Sequence, residues 1–312
     1  MALREYLTTE VGEDWVDGLI TRREAVRRLA LLGMTTTSAS ALLAACAAQI
    51  SPAPSASGSA TSAPATASSP SAGGAGSAVP TSSAATVAGE AISFPGPAGD
   101  LQGFLARSAT PSGAMLVIHE NRGLTDHIRS VASRLAADAY TSLAIDLLSE
   151  EGGSAALGDP GNVSAALAAA TTERLVGDMA AGLSELERRV PGAKLGIIGF
   201  CFGGGMVWTL LDAGEPRLAA AIPFYGPAPS APDFSGEKAA VLGVYAELDD
   251  RVNASRDRAE AALQAAALTH EIKIYPGVDH AFFNDTAGRY DATQAAAAYA
   301  DVLAWLGRHL AG

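Results

Sequence analysis

Cysteine is nearly absent: the chain has 312 residues and two cysteines, Cys46 and Cys201. That rules out a scaffold stapled by several disulfides, since one bridge is the most it could form. Charge is also thin, at 17% of residues, because alanine and serine crowd the first third. Positive charge is the scarcer sign: the net is -12, and beyond residue 88 there are 16 basic against 27 acidic side chains. Such a surface repels phosphate backbones, so nucleic acid is not an expected partner. Metal-ligand clusters, phosphate loops and dinucleotide fingerprints are missing from the sequence, so neither metal nor cofactor is expected.

Long apolar runs are missing too. The most apolar early stretch, Leu29 to Ala45, contains Thr35, Thr36, Thr37, Ser38 and Ser40, too polar and too short for a membrane span. It follows the basic segment Thr21-Arg22-Arg23-Glu24-Ala25-Val26-Arg27-Arg28, and it ends in Leu43-Ala44-Ala45-Cys46. Positive charge, a weakly apolar core and small residues before a break form the pattern of an export signal over residues 1–45. The arginine pair resembles a Tat signal, although Ala25 and Val26 stand where a large hydrophobic pair would be stronger. Leu43–Cys46 resembles a bacterial lipobox, which implies lipidation of Cys46. The expected location is then the outer face of the bacterial cytoplasmic membrane. A basic amphipathic helix is the plainer alternative. Residues 46–88 carry no charge and consist almost wholly of Ala, Ser, Pro, Gly and Thr. Nothing there offsets the entropy of ordering, so a disordered tether is expected, spanning on the order of 35 Å.

What is present begins at Gly89. Eight strand-like runs follow: Ile92–Phe94, Leu101–Ala106, Ala114–Ile118, Ser142–Ile145, Leu195–Ile198, Ala219–Phe224, Val241–Tyr245 and Glu271–Tyr275. Several are continuously apolar, as strands buried on both faces should be. Helical patterns lie between them near Ile128–Asp138, Val163–Arg189, Gly204–Leu211 and Asn253–Ala267, with a last one over Asp291–Leu310. Alternation of this kind over 89–312 predicts one α/β domain, a mostly parallel sheet with helices on both faces. Chemistry in such sheets gathers at the carboxyl ends of the strands.

The residues after the strands are therefore the candidates. Gly199-Phe200-Cys201-Phe202-Gly203-Gly204 follows the fifth run and has the strand–turn–helix context of a nucleophile elbow, with cysteine in place of serine. After the seventh comes Glu247-Leu248-Asp249-Asp250-Arg251, and after the eighth Asp279-His280-Ala281-Phe282. Nucleophile, acid and histidine in that order suit a thiol that needs a base, and a base that needs a carboxylate to fix its tautomer. Of five histidines, only His280 lies in a post-strand loop in the right order. Asp249 and Asp250 compete as the acid; Asp249 is preferred, since one of the two caps the next helix. His119-Glu120-Asn121-Arg122-Gly123 follows the third run, placing Glu120 at a strand end where an unpaired acid is costly. The backbone N–H groups of Asn121 and Phe202 are candidates for an oxyanion hole.

Taken together, His119–Gly123, Gly199–Gly204, Glu247-Leu248-Asp249 and His280-Ala281-Phe282 resemble the dienelactone hydrolase family over roughly 89–312. The resemblance implies an α/β-hydrolase fold and a Cys201–His280–Asp249 triad, with Glu120 taking the thiol proton when substrate arrives. It implies a small lactone or ester as substrate, cleaved through an acyl-enzyme. Asp146-Leu147-Leu148-Ser149-Glu150 carries no arginine where founding members bind a carboxylate, which leaves Arg122 or Arg289 for that task. A monomer or weak oligomer is expected. The rival readings are a binding lipoprotein that has kept the fold without turnover, and a thiol redox protein. The second lacks a resolving cysteine.

Overall fold

In the computed structural model, residues 3–16, 19–48 and 86–311 are described. Helices α1 (Leu3–Val16), α2 (Arg22–Leu31) and α3 (Thr36–Ala48) come first. The rest of the chain runs β1 (Gly89–Pro95), β2 (Asp100–Ala106), β3 (Gly113–Ile118), α4 (Asp126–Ala137) and β4 (Tyr140–Asp146). It continues through α5 (Ser154–Leu157), α6 (Pro160–Ala169), α7 (Thr172–Arg189), β5 (Leu195–Phe200), α8 (Phe202–Ala213) and β6 (Leu218–Phe224). The last elements are β7 (Ala240–Ala246), α9 (Asp250–Asn253), α10 (Arg256–Ala265), β8 (His270–Tyr275) and α11 (Ala292–His309).

All eight expected strands are present, in one sheet of order β1-β2-β4-β3-β5-β6-β7-β8. β3 to β8 are parallel, while β1–β2 and β2–β4 pair antiparallel, so the sheet is mixed at the edge where the chain enters it. The physical reason is the short turn at Pro95–Asp100, which returns the chain as a hairpin and needs no crossover helix. Every residue of β3, β4, β5 and β7 is buried; β3, β5 and β7 are apolar throughout, and β4 buries Thr141, Ser142 and Asp146 as well. Helices α4, α7, α8 and α11 pack on this sheet.

Two helices depart from the expected ranges. The run Val163–Arg189 is divided, because Ala170 and Thr171 adopt extended backbone and the Thr171 hydroxyl accepts from Arg174 N–H, opening α7. The run Asn253–Ala267 is likewise preceded by the single turn α9 and restarts at Arg256.

The expected export signal over residues 1–45 says nothing of how that segment folds. Here α1, α2 and α3 are seated on the α/β domain, because Leu7, Val11, Leu29, Leu32 and Leu43 are all buried. α1 packs on α2, α3 and α6, and α2 also on α6. Arg27 pairs with Asp159 at 2.5 Å, tying α2 to the turn before α6. The expected tether over 46–88 lies outside the described residues from 49 to 85; its end, at Val87, donates to the Ser133 carbonyl at 3.2 Å.

Candidate active site

β5 delivers the nucleophile candidate. Its apolar run ends at Phe200, and Cys201 turns the chain into α8 with φ 55° and ψ -115°, a conformation costing a non-glycine residue about 1–3 kcal/mol. The turn closes because its glycines admit backbone where a side chain would stand. A Cβ on Gly203 would lie 2.5 Å from the Ile118 carbonyl oxygen, and one on Gly199 would overlap the Gly203 carbonyl. Cys201 N–H donates to the Phe224 carbonyl at 3.0 Å, fixing the elbow to β6.

β7 and β8 deliver the base and its orienter. Asp249 caps α9, one oxygen accepting from Val252 N–H at 3.0 Å, while the other accepts from His280 Nδ1–H at 2.6 Å. One carboxylate thus does both jobs that the sequence divided between two neighbours, and Asp250 is exposed. His280 is itself buried, with the Tyr225 ring 5.1 Å away. Its free nitrogen, Cys201 Sγ and a Glu10 oxygen all lie within 4.8 Å of one another. The sulfur and the imidazole are thus on the same side of the sheet and within reach of one another.

Glu120, Asn121, Arg122 and Cys201 line one cavity of about 30 Å³. Glu120 is 4% exposed; one oxygen accepts from Asn284 Nδ2 at 2.5 Å and the other has no hydrogen-bond partner. Burial pushes its carboxyl above the usual range, against the opposing pull of His127, Arg122 and His280. Neighbouring His119 is structural: Nδ1 bonds the Glu120 carbonyl at 2.6 Å, and Nε2 accepts from Leu147 N–H at 3.2 Å. That pair fixes the loop and holds the imidazole neutral, burial lowering its pKa. Arg289 reaches the same cavity and lies 3.8 Å from Asp14.

Four contributors carry no signal in the sequence: Tyr6, Glu10, Arg251 and Asn284. α1 lays Tyr6 and Glu10, one turn apart, onto the elbow. Tyr6 Oη is 3.1 Å from Cys201 Sγ; one Glu10 oxygen is 3.8 Å from that sulfur and 3.4 Å from His280 Nε2. Arg251 Nη2 donates to the other Glu10 oxygen at 2.5 Å, its Nε donates to Glu13 at 2.8 Å, and its guanidinium lies 4.6 Å over the Tyr6 ring. Burial pushes the Cys201 thiol up and Glu10 adds to this, with His280 opposing. Burial opposes charge on His280, but Glu10 and Asp249 outweigh it and hold the imidazole well above its ordinary pKa. Burial likewise opposes charge on Glu10, and His280, Arg251 and Arg289 overcome it, so this carboxyl lies below its ordinary value. Cys201, His280 and Glu10 also make a zinc-like donor set. The Arg251 guanidinium bonded to Glu10 sets a fixed positive charge beside that point and opposes a second cation.

Comparison with known proteins places this arrangement. Residues 101–310 match the model of the dienelactone hydrolase family. A Salmonella typhi protein carrying the provisional name carboxymethylenebutenolidase is 30% identical over 233 residues, covering 70% of this chain and 86% of its own. A Saccharolobus solfataricus protein of the same provisional name is 30% identical over 244 residues, 67% of this chain and 94% of its own. Among solved structures, a Klebsiella pneumoniae protein provisionally described as a dienelactone hydrolase superposes with a TM-score of 0.63 at 27% identity, over 71% of this chain and 99% of its own. The fold, the elbow and these likenesses agree, and the chain belongs to the dienelactone hydrolase family.

Proposed function

We propose that this hydrolase cleaves a small lactone or activated ester through a covalent acyl-enzyme on Cys201. The observation that carries the reading is the buried chain Cys201–His280–Asp249, with the 2.6 Å Asp249–His280 bond fixing the tautomer that leaves Nε2 toward the sulfur. Cys201 gives its proton to Glu120 or His280 as substrate enters, and the thiolate adds to the carbonyl carbon. The N–H groups of Phe202 and Asn121 hold the resulting oxyanion. Collapse breaks the C–O bond, and the group that took the thiol proton, His280 or Glu120, returns it to the departing alcohol oxygen. His280 then takes a proton from water, whose oxygen attacks the thioester; collapse breaks the C–S bond, the acid leaves, and His280 returns the proton to the Cys201 thiolate. A thiol protonated at rest also resists oxidation. Arg122 and Arg289, on the wall of the same cavity, are placed to meet an anionic group of the substrate.

Hydrolysis of a p-nitrophenyl ester tests this. A protein with Glu10→Ala, which removes the carboxylate 3.8 Å from the sulfur, should turn over, and adding Cys201→Ala should lower the rate at least about a thousandfold. Equal rates in both would remove the cysteine from the mechanism.

Localisation belongs to the same proposal. The Arg22-Arg23 pair and Leu43–Cys46 support export and lipidation at Cys46. No helix among the described residues is long and apolar enough to cross a membrane. Labelled fatty acid should attach to the wild type and not to Cys46→Ser.

A further inference from the structure

We propose that α1 is a plug held in the active site of its own chain, so that the cleft is the binding site for this helix and turnover begins only when it leaves. The inference rests on the catalytic reading of Cys201 and His280.

The first support is occupancy. α1 buries Tyr6, Leu7, Glu10, Val11 and Asp14 along one side, at spacings of three and four residues. Two of these are polar groups that touch the reacting atoms, which a helix serving only as cover would not need. Three cavities flank α1 and share its residues. One of about 280 Å³ is lined by Tyr6 and Phe202, one of about 30 Å³ by Glu10, Asp14 and Cys201, and one of about 210 Å³ by Thr9, Glu13, Asp249 and Arg251. They read as one cleft divided by the helix. The compartment that holds Cys201 has room for about one water molecule and none for an ester.

The second support is the protonation that α1 imposes. Glu10 faces His280, Arg251, Arg289, Asp249 and Cys201. Burial and then the Glu10 charge keep the proton on the Cys201 sulfur, and against burial Glu10 and Asp249 together stabilise His280 as imidazolium. An imidazolium cannot accept a proton from thiol or water, so the base is disabled as well as shielded. Tyr6 and Glu10 together take the space beside the sulfur from which a carbonyl must approach.

The third is the means of release. Cys46 Sγ lies 2.9 Å from where a Cβ on Gly12 would stand, so the proposed lipidation site packs directly against the plug. Cleavage ahead of Cys46 removes α1, α2 and most of α3 in one cut. The segment that would direct export then also keeps the hydrolase silent until it has been exported.

The test reads accessibility of Cys201 separately from turnover. In full-length Cys46→Ser protein, where Cys201 is the only thiol, iodoacetamide alkylation is timed alongside p-nitrophenyl ester hydrolysis. Glu10→Ala and Thr9→Pro, one removing a contact and the other breaking the helix, should each speed alkylation at least about tenfold while the sheet still melts where it did. In the protein without further substitution, alkylation should appear at urea concentrations well below those that unfold the sheet. Unchanged alkylation in both variants, or reactivity that appears only with global unfolding, overturns the plug. Faster alkylation with no ester hydrolysis in any form would leave the plug standing and defeat the catalytic reading instead.

Discussion

The inward face of α1 and the β5–α8 elbow are both buried, yet they are held by different forces. Ile197 on β5 is 0% exposed and Leu7 on α1 is 1% exposed. β5 is bound on both edges by backbone ladders to β3 and β6. Among the described residues, no backbone–backbone hydrogen bond joins α1 to the sheet. Its grip is side chain on side chain: Tyr6 on Cys201, Glu10 and Glu13 on Arg251, and Asp14 near Arg289 and Arg28. A ladder cannot be opened without unfolding the strand, whereas a side-chain dock can be left as a unit. Burial alone therefore does not tell scaffold from plug; the kind of bond does.

The largest effect should come from the elbow's own machinery. In a form with α1 displaced, Asp249→Asn should lower kcat by about a hundredfold to ten-thousandfold, because the wrong His280 tautomer is then favoured. In full-length protein the same change should be nearly masked by low initial turnover. Equal losses in both forms would mean that α1 does not limit the site.

Next come two substitutions matched in chemistry. Ile197→Ala should lower the global stability of the sheet by about 2–5 kcal/mol, measured by urea unfolding. Leu7→Ala should leave the main transition in place and raise only Cys201 reactivity. A main transition lowered equally by both would make α1 part of the scaffold.

Thr171→Ala should cost about 1 kcal/mol at the break between α6 and α7. It should not alter alkylation, since that cap is on the scaffold and not on the dock.

The smallest effect is in pH. His280 has a raised pKa in the docked state, so the stability it lends is fully present below the ordinary histidine range and is lost as pH rises through the elevated value. Glu10 has a lowered pKa, so its share is present above the ordinary glutamate value and is lost as pH falls through the depressed one. Docking should be tightest between those limits. The alkylation rate of Glu10→Gln relative to wild type should then be greatest in that window and shrink towards alkaline pH. A ratio flat with pH would deny the ion pair any part in holding α1.

Much of the domain was legible in sequence because its signals are local. The central strands announce themselves as apolar runs, since a strand buried on both faces needs no polar face, while the edge strands β1, β2 and β8 show as shorter or alternating runs bounded by turn residues. Glycines around Cys201 mark the elbow, since only they allow strand and helix so close. The chain order of Cys201, Asp249 and His280 was readable for the same reason: each follows its own strand. The break at Ala170-Thr171 was not readable, because no proline or glycine marks it. Nor could sequence say that Asp249 both caps α9 and orients His280, since that depends on a 2.6 Å contact between two loops.

By itself the sequence determined the sheet, the elbow and the residue types able to do acyl chemistry, because alternation of apolar and turn-forming residues is written along the chain. Tertiary structure alone decided what stands against the sulfur. Glu10 and Cys201 are 191 residues apart, and no local pattern encodes a distance of 3.8 Å between them. Only the fold, by burying Leu7 and Val11, carries that carboxylate into the site, where burial strengthens the reach of a single charge over thiol and imidazole alike.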